Sequence, residues 1–180
     1  GRTRDLLTEA VAWMRRTAQP AAPRDAALRA AIAGLDGPLT LVIDHAMGGG
    51  ANTARERLIA GQLSEGRAVL LLTIDLASLA YCWRLQQGDR DLGFESDDLR
   101  LLPGLLATPQ LDRVVLNDSV GFDDPLALNR VLIAAKQRRS LHLRYALHDY
   151  FPICPSYPLI DHRGRFCDLP DIDTCATCMA

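Results

Sequence analysis

A chain of 180 residues that is 48% hydrophobic and 23% charged has the composition of one folded domain with room for a core, which excludes wholesale disorder. Its formal net charge of −2 excludes the strongly basic balance of a dedicated nucleic-acid binder. No apolar run approaches the roughly 20 residues that cross a bilayer, and the N-terminus carries no signal-peptide core, so the sequence alone points to a cytoplasmic protein.

Residues 3–16 place Leu6, Leu7, Ala10, Val11 and Met14 at three-and-four spacing, with Thr3 or Asp5 as a cap, and predict an amphipathic helix. The run Gln19–Pro23 breaks it. An alanine-rich helix follows from about Asp25 to Leu35 and stops at Gly37-Pro38, and together the two form a helical annex over residues 1–38. From Leu39 onward, short apolar runs alternate with helical segments. Leu39–Asp44 and Arg67–Ile74 are continuous apolar runs, the kind that strands covered on both faces require. Asn52–Leu63 is helical, with Ala54, Leu58, Ile59 and Leu63 facing inward. Leu79–Leu85 and Gly93–Glu95 are weaker strands with a turn at Gln86–Asp91. Asp97–Leu102 predicts a short helix that ends at Pro103-Gly104. Asp112–Leu116 is a strand, Pro125–Arg138 a helix with proline at its first position, and Leu141–Leu147 the last strand. The fold class is α/β: a Rossmann-like, mainly parallel sheet over residues 39–149 with helices on both faces. Residues 150–180 read as an irregular extension rich in proline and cysteine, packed on the same domain.

Between the first strand and its helix runs Ile43-Asp44-His45-Ala46-Met47-Gly48-Gly49-Gly50-Ala51-Asn52. Glycines there admit positive φ and the close approach of a ligand, and the N–H groups that open the helix favour a phosphate. Gly48, Gly49, Gly50 and Asn52 are therefore candidate substrate contacts; the plain alternative is a flexible connection. A nicotinamide fingerprint fits poorly. Thr53 stands at its third glycine, four residues separate the strand from the glycines, and Asp75 at the end of the second strand serves equally well as a turn cap. The last strand delivers His148-Asp149-Tyr150-Phe151-Pro152-Ile153-Cys154-Pro155 to the same edge, which makes His148 a candidate acid–base or substrate-contacting residue and Asp149 a candidate binding residue. The alternative is a histidine bonded into its own loop.

The pairing of strand–DHAMGGG–helix with HDYFPICPSYPLIDHRGRFCDLPDIDTCATC resembles bacterial GT-B glycosyltransferases of the retaining, group-one type, from roughly Leu39 to Cys178. The resemblance implies an N-terminal, acceptor-side half. Its glycine loop would face the donor's phosphates and the transferred sugar, and His148 would line the cleft. It implies a sugar-nucleotide donor, a glycan or lipid-linked acceptor and a donor-binding half with paired glutamates. That half has no counterpart before Ala180, so this domain alone is expected to transfer no sugar. The other function class is a nucleotide- or zinc-binding module without catalysis.

Cys154, Cys167, Cys175 and Cys178 follow the spacing C-x12-C-x7-C-x2-C. A terminal pair two residues apart can grip one tetrahedral ion and a second pair can complete it, with His162 as a substitute ligand. A structural zinc, an iron–sulfur cluster, a disulfide and free packed thiols all satisfy this pattern. Cys82, beside Trp83 in an apolar run, is expected in the core. Lys136, Arg138, Arg139 and Arg144 suit the C-terminal end of a helix; the other reading is contact with acidic lipid head groups at the inner face of the membrane.

Overall fold

The computed structural model describes residues 21–148, 150, 154, 156 and 158–179; the helix expected over residues 3–16 lies outside them, as does Asp149. The chain is an α/β fold built on a mixed six-stranded sheet. Its elements run α1 (Ala21–Ala33), β1 (Leu39–Ile43), α2 (Gly49–Ser64), β2 (Ala68–Asp75), β3 (Ala80–Gln87), β4 (Arg90–Ser96) and α3 (Leu102–Leu106). They continue with β5 (Leu111–Leu116), α4 (Pro125–Arg138), β6 (His142–Tyr145) and α5 (Ile172–Met179). Strand order is β4-β3-β2-β1-β5-β6, with β2, β1, β5 and β6 parallel and the β3–β4 hairpin antiparallel at one edge. Among the described residues no helix is long and apolar enough to cross a membrane.

Alternation along the strands decides the layers. Leu39, Leu41 and Ile43 of β1 and Leu70, Leu72 and Ile74 of β2 point to one face, where they join Leu28 and Ile32 of α1, Leu102 and Leu106 of α3, and Leu128 and Leu132 of α4 in the main core. Val42, Val69 and Leu71 point to the other face, where Ile59 of α2 covers them. The helices therefore flank the sheet on both sides. Because β1 is enclosed by both layers, all five of its residues are buried, as its continuous apolar run predicts.

Two sequence expectations change. Pro103-Gly104 does not end a helix over Asp97–Leu102. The helix is Leu102–Leu106 and contains both residues, because proline fits the first turn, where its missing N–H costs nothing. The sheet keeps the mainly parallel order the alternation predicts, with the β3–β4 hairpin added antiparallel beside β2. Cys82 is not a core residue. On β3 the core takes Tyr81, Trp83 and Leu85, so the period of two leaves Cys82 half-buried on the opposite face.

At the amino-terminal edge of the sheet, Arg67 donates to Thr40 Oγ1 (2.9 Å) and pairs with Asp112, the residue bulged between β5 and β1. Thr40 in turn donates to Gln62 Oε1 (2.9 Å). This network satisfies buried polar groups far from the loops that carry the candidate site, and it serves the fold. Arg139 likewise donates to the carbonyls of Leu106 (3.0 Å) and Thr108 (2.7 Å), clamping the end of α3.

Tyr81 is 2% exposed and its hydroxyl donates to Asp123 Oδ2 at 3.0 Å. Burial first, and the Asp123 carboxylate second, push its phenol from 10.0 up to about 12. The fold thus prefers the neutral phenol: the contribution is whole below pH 10.0 and lost as pH rises through about 12. Urea unfolding across that interval is expected to show a fall on the order of 2–3 kcal/mol that Tyr81→Phe lacks. Identical pH slopes in the two proteins would contradict this assignment.

Candidate functional site

The candidate site lies beyond the carboxyl ends of β1, β5 and β6, where an open parallel sheet leaves its crevice. The chain leaves β1 through Asp44, whose side chain is fully buried and whose N–H donates to the Leu72 carbonyl at 3.0 Å. Asp44 Oδ1 accepts from the His45 N–H (2.8 Å), while Oδ2 accepts from Asn52 Nδ2 (2.9 Å) and Arg55 Nη1 (3.2 Å). Asn52 also donates to the His45 carbonyl (2.9 Å) and accepts from the Gly48 N–H. Arg55 donates to the same His45 carbonyl (2.9 Å). One carboxylate, one amide and one guanidinium thus fix the whole strand-to-helix loop. Asn52, expected to touch substrate, is committed to shaping the glycine loop.

Gly48 (φ 85°, ψ −162°) and Gly49 (φ 84°) occupy the region that L side chains avoid, whereas Gly50 sits inside the first turn of α2. The helix accordingly opens at Gly49, three residues before the expected start. A Cβ at any of the three glycines would meet no protein atom within 4 Å. The glycines therefore serve backbone conformation, and the space above them is open.

Two residues from β5 complete the edge. After Leu116 the N–H groups of Asn117 and Asp118 both reach the Ile43 carbonyl, at 2.8 and 3.3 Å, which sets them beside the end of β1. Asn117, 4% exposed, donates through Nδ2 to the Ala51 carbonyl (3.0 Å) and lies 2.9 Å from His148 Nε2 through Oδ1. With its amide nitrogen so committed, Oδ1 accepts, so His148 carries its proton on Nε2 and has an acceptor lone pair on Nδ1 when neutral. His148 itself is exposed. His45 is arranged in parallel. Its Nδ1 accepts from the Met47 N–H (3.2 Å), so Nε2–H faces Asp118 Oδ2 at 3.5 Å.

The structure therefore gathers Gly48, Gly49, Gly50, Asn52 and His148 at one edge, with Asn117 bridging the histidine to the glycine-loop helix. Asp44, His45, Arg55, Asn117 and Asp118 were missed as site residues. The available signal was an Asp-His pair ending β1 and an Asn-Asp pair ending β5. Asp75 caps its own turn, accepting from the Ala77 N–H (2.9 Å) and the Ser78 hydroxyl (2.8 Å), as the turn reading expects. Beside the loop, an open cavity of about 880 Å³ spreads over a sheet face that the described residues leave uncovered; Ala46, Arg55, Thr73, Cys82, Arg84 and Glu95 contribute to its lining.

Cys154, Cys167, Cys175 and Cys178 are half-buried free thiols that line a second cavity, of about 710 Å³, together with His162. As the side chains stand, no group of three or more His, Cys, Asp or Glu among the described residues is close enough to hold a metal ion. Of the basic residues near the late helix, Lys136, Arg138 and Arg144 are exposed. No family model, no curated protein and no solved structure matches this chain.

Proposed function

We propose that this chain is the acceptor-side, Rossmann-like half of a retaining GT-B glycosyltransferase, moving a sugar from a nucleotide-diphosphate donor to a glycan or lipid-linked acceptor. The observation that carries the reading is the Ala51–Asn117–His148 bridge, which ties the last strand's histidine to the start of the glycine-loop helix. Gly48 and Gly49 would face the donor's phosphates, with the N–H groups that open α2 offering partial positive charge. His148 Nδ1 would accept from a sugar hydroxyl at the same edge. Retaining transfer also needs the developing charge on the diphosphate to be held, and those contacts belong to a donor-binding half. In this reading the basic surface of Lys136, Arg138 and Arg144 would give the enzyme a peripheral contact with the membrane that carries a lipid-linked acceptor.

The test is transfer from radiolabelled sugar nucleotides by a protein joining this domain to a donor-binding half, with the 180 residues alone as control. Transfer by the longer protein and none by the control is the expected result. Gly49→Val should keep the fold and lose transfer at least tenfold, because a β-branched residue resists φ near +84° and crowds the open space above the loop. Donor binding without transfer would favour a nucleotide-binding module. Unchanged kcat/KM in Gly49→Val would take the glycine loop out of the site.

A further inference from the structure

We propose that Cys154, Cys167, Cys175 and Cys178 together bind one zinc ion, which acts as the staple of the C-terminal segment. The assignment goes beyond the glycosyltransferase reading and does not depend on it.

The first argument is convergence. Three separate local structures deliver the thiols to the walls of one cavity. The Cys154 N–H donates to the Tyr150 carbonyl (2.8 Å). Cys167 closes a small antiparallel loop. Its N–H donates to the Leu159 carbonyl (2.9 Å), beyond the Ile160–Phe166 bridge and the tight turn where the Asp161 N–H meets the Arg165 carbonyl (2.8 Å). Cys175 and Cys178 lie one turn apart on α5, so their spacing puts both on one helix face. Asp171 caps that helix, accepting from the Thr174 N–H (2.8 Å) and the Thr174 hydroxyl (3.0 Å). A loop, a hairpin and a helix that each present thiols to a shared space form a donor set of the four-thiolate kind.

The second argument is that the segment has little else to hold it. Among its described residues Leu159 is the one large apolar side chain that is buried, at 1% exposed. Phe166 is 61% exposed, Leu169 52% and Ile172 84%. A short segment that buries so little apolar surface needs a cross-link or a metal to fix one conformation. Asp168 (φ 53°) and Leu169 (φ 51°), directly after Cys167, turn the chain sharply from the hairpin toward α5. Left-handed backbone at such residues persists where the surroundings over-determine it.

The thiols do not yet stand in coordinating positions. Zinc would have to draw them in as it displaces their protons, so binding would contribute folding energy to this segment.

The test uses the full chain, purified under reducing conditions without added metal, and again after reconstitution with zinc chloride. Metal analysis is expected to give one zinc per chain. Cys175→Ser and Cys178→Ser should each lose it, and Cys82→Ser should keep it. Cobalt exchanged into the chelated wild type should give the ligand-field bands of tetrahedral thiolate coordination. Chelation should raise hydrogen exchange over residues 158–179 while β1 and β2 stay protected; this measurement stands even where a serine variant fails to fold. The proposal is overturned by no zinc after reconstitution, by iron with acid-labile sulfide, by a disulfide among the four, or by full zinc retention in both serine variants.

Discussion

Asp44→Ala is expected to destabilise the fold by about 3–5 kcal/mol, the range for removing one partner of a buried ion pair. The carboxylate is fully buried, and Arg55, its partner at 3.2 Å, has a side chain only 12% exposed. Truncation would take the shared acceptor from Arg55 Nη1, one amide hydrogen of Asn52 and the His45 N–H at once, leaving Arg55 only Glu56 (2.7 Å) and the His45 carbonyl (2.9 Å), and an unsatisfied buried donor costs more than a made hydrogen bond returns. Natural domains have only about 5–15 kcal/mol to lose, so the variant should be largely unfolded under mild denaturation. Asp44→Asn keeps the shape and one acceptor oxygen and should lose less. A double-mutant cycle with Arg55→Ala should show strong coupling, since both act on the same loop. A measured loss below about 1 kcal/mol in Asp44→Ala would mean that the loop holds without its anchor.

His148→Ala should lower kcat/KM for sugar transfer by about 10-fold to 10²-fold, the loss expected when a buried substrate hydroxyl is left without its acceptor, in a protein that also carries the donor-binding half. Stability should hardly change, because the imidazole is exposed and its side-chain hydrogen bond among the described residues goes to Asn117. Asn117→Ala separates contact from positioning. It leaves His148 in the chain but frees the ring to rotate, and should cost part of the rate. It should also cost stability, since Asn117 is 4% exposed and ties β5 to α2. Equal kcat/KM in wild type and His148→Ala would remove this histidine from the reaction and leave the glycine loop to be judged alone.

Much of the scaffold was legible from the chain. Pro125–Arg138 reads to the residue because its signals are local: Asp124 accepts from the Ala127 N–H (2.8 Å), proline takes the first position, and leucines recur on one face. β1 and β2 read as strands because burial on both sides imposes unbroken apolar runs. The glycine loop and His148 read as neighbours at one sheet edge from their places at strand ends, and they stand there. α3 was misplaced because Pro103-Gly104 is a stop signal in isolation, and becomes part of a helix where the chain packs Leu102, Leu105 and Leu106 into the core.

The sequence by itself determined which segments become strands and helices, and that glycines and a histidine meet the same edge of a sheet. Only the tertiary structure decided which polar side chains stand together there. β5 pairs with β1 across a gap of three intervening strands in the chain, and that pairing alone brings Asn117 to Ala51 and Asp118 to His45. Periodicity reports the face a residue occupies, a property of its near neighbours. Contacts between strands distant in sequence are fixed by packing of the whole sheet, and no local pattern records them.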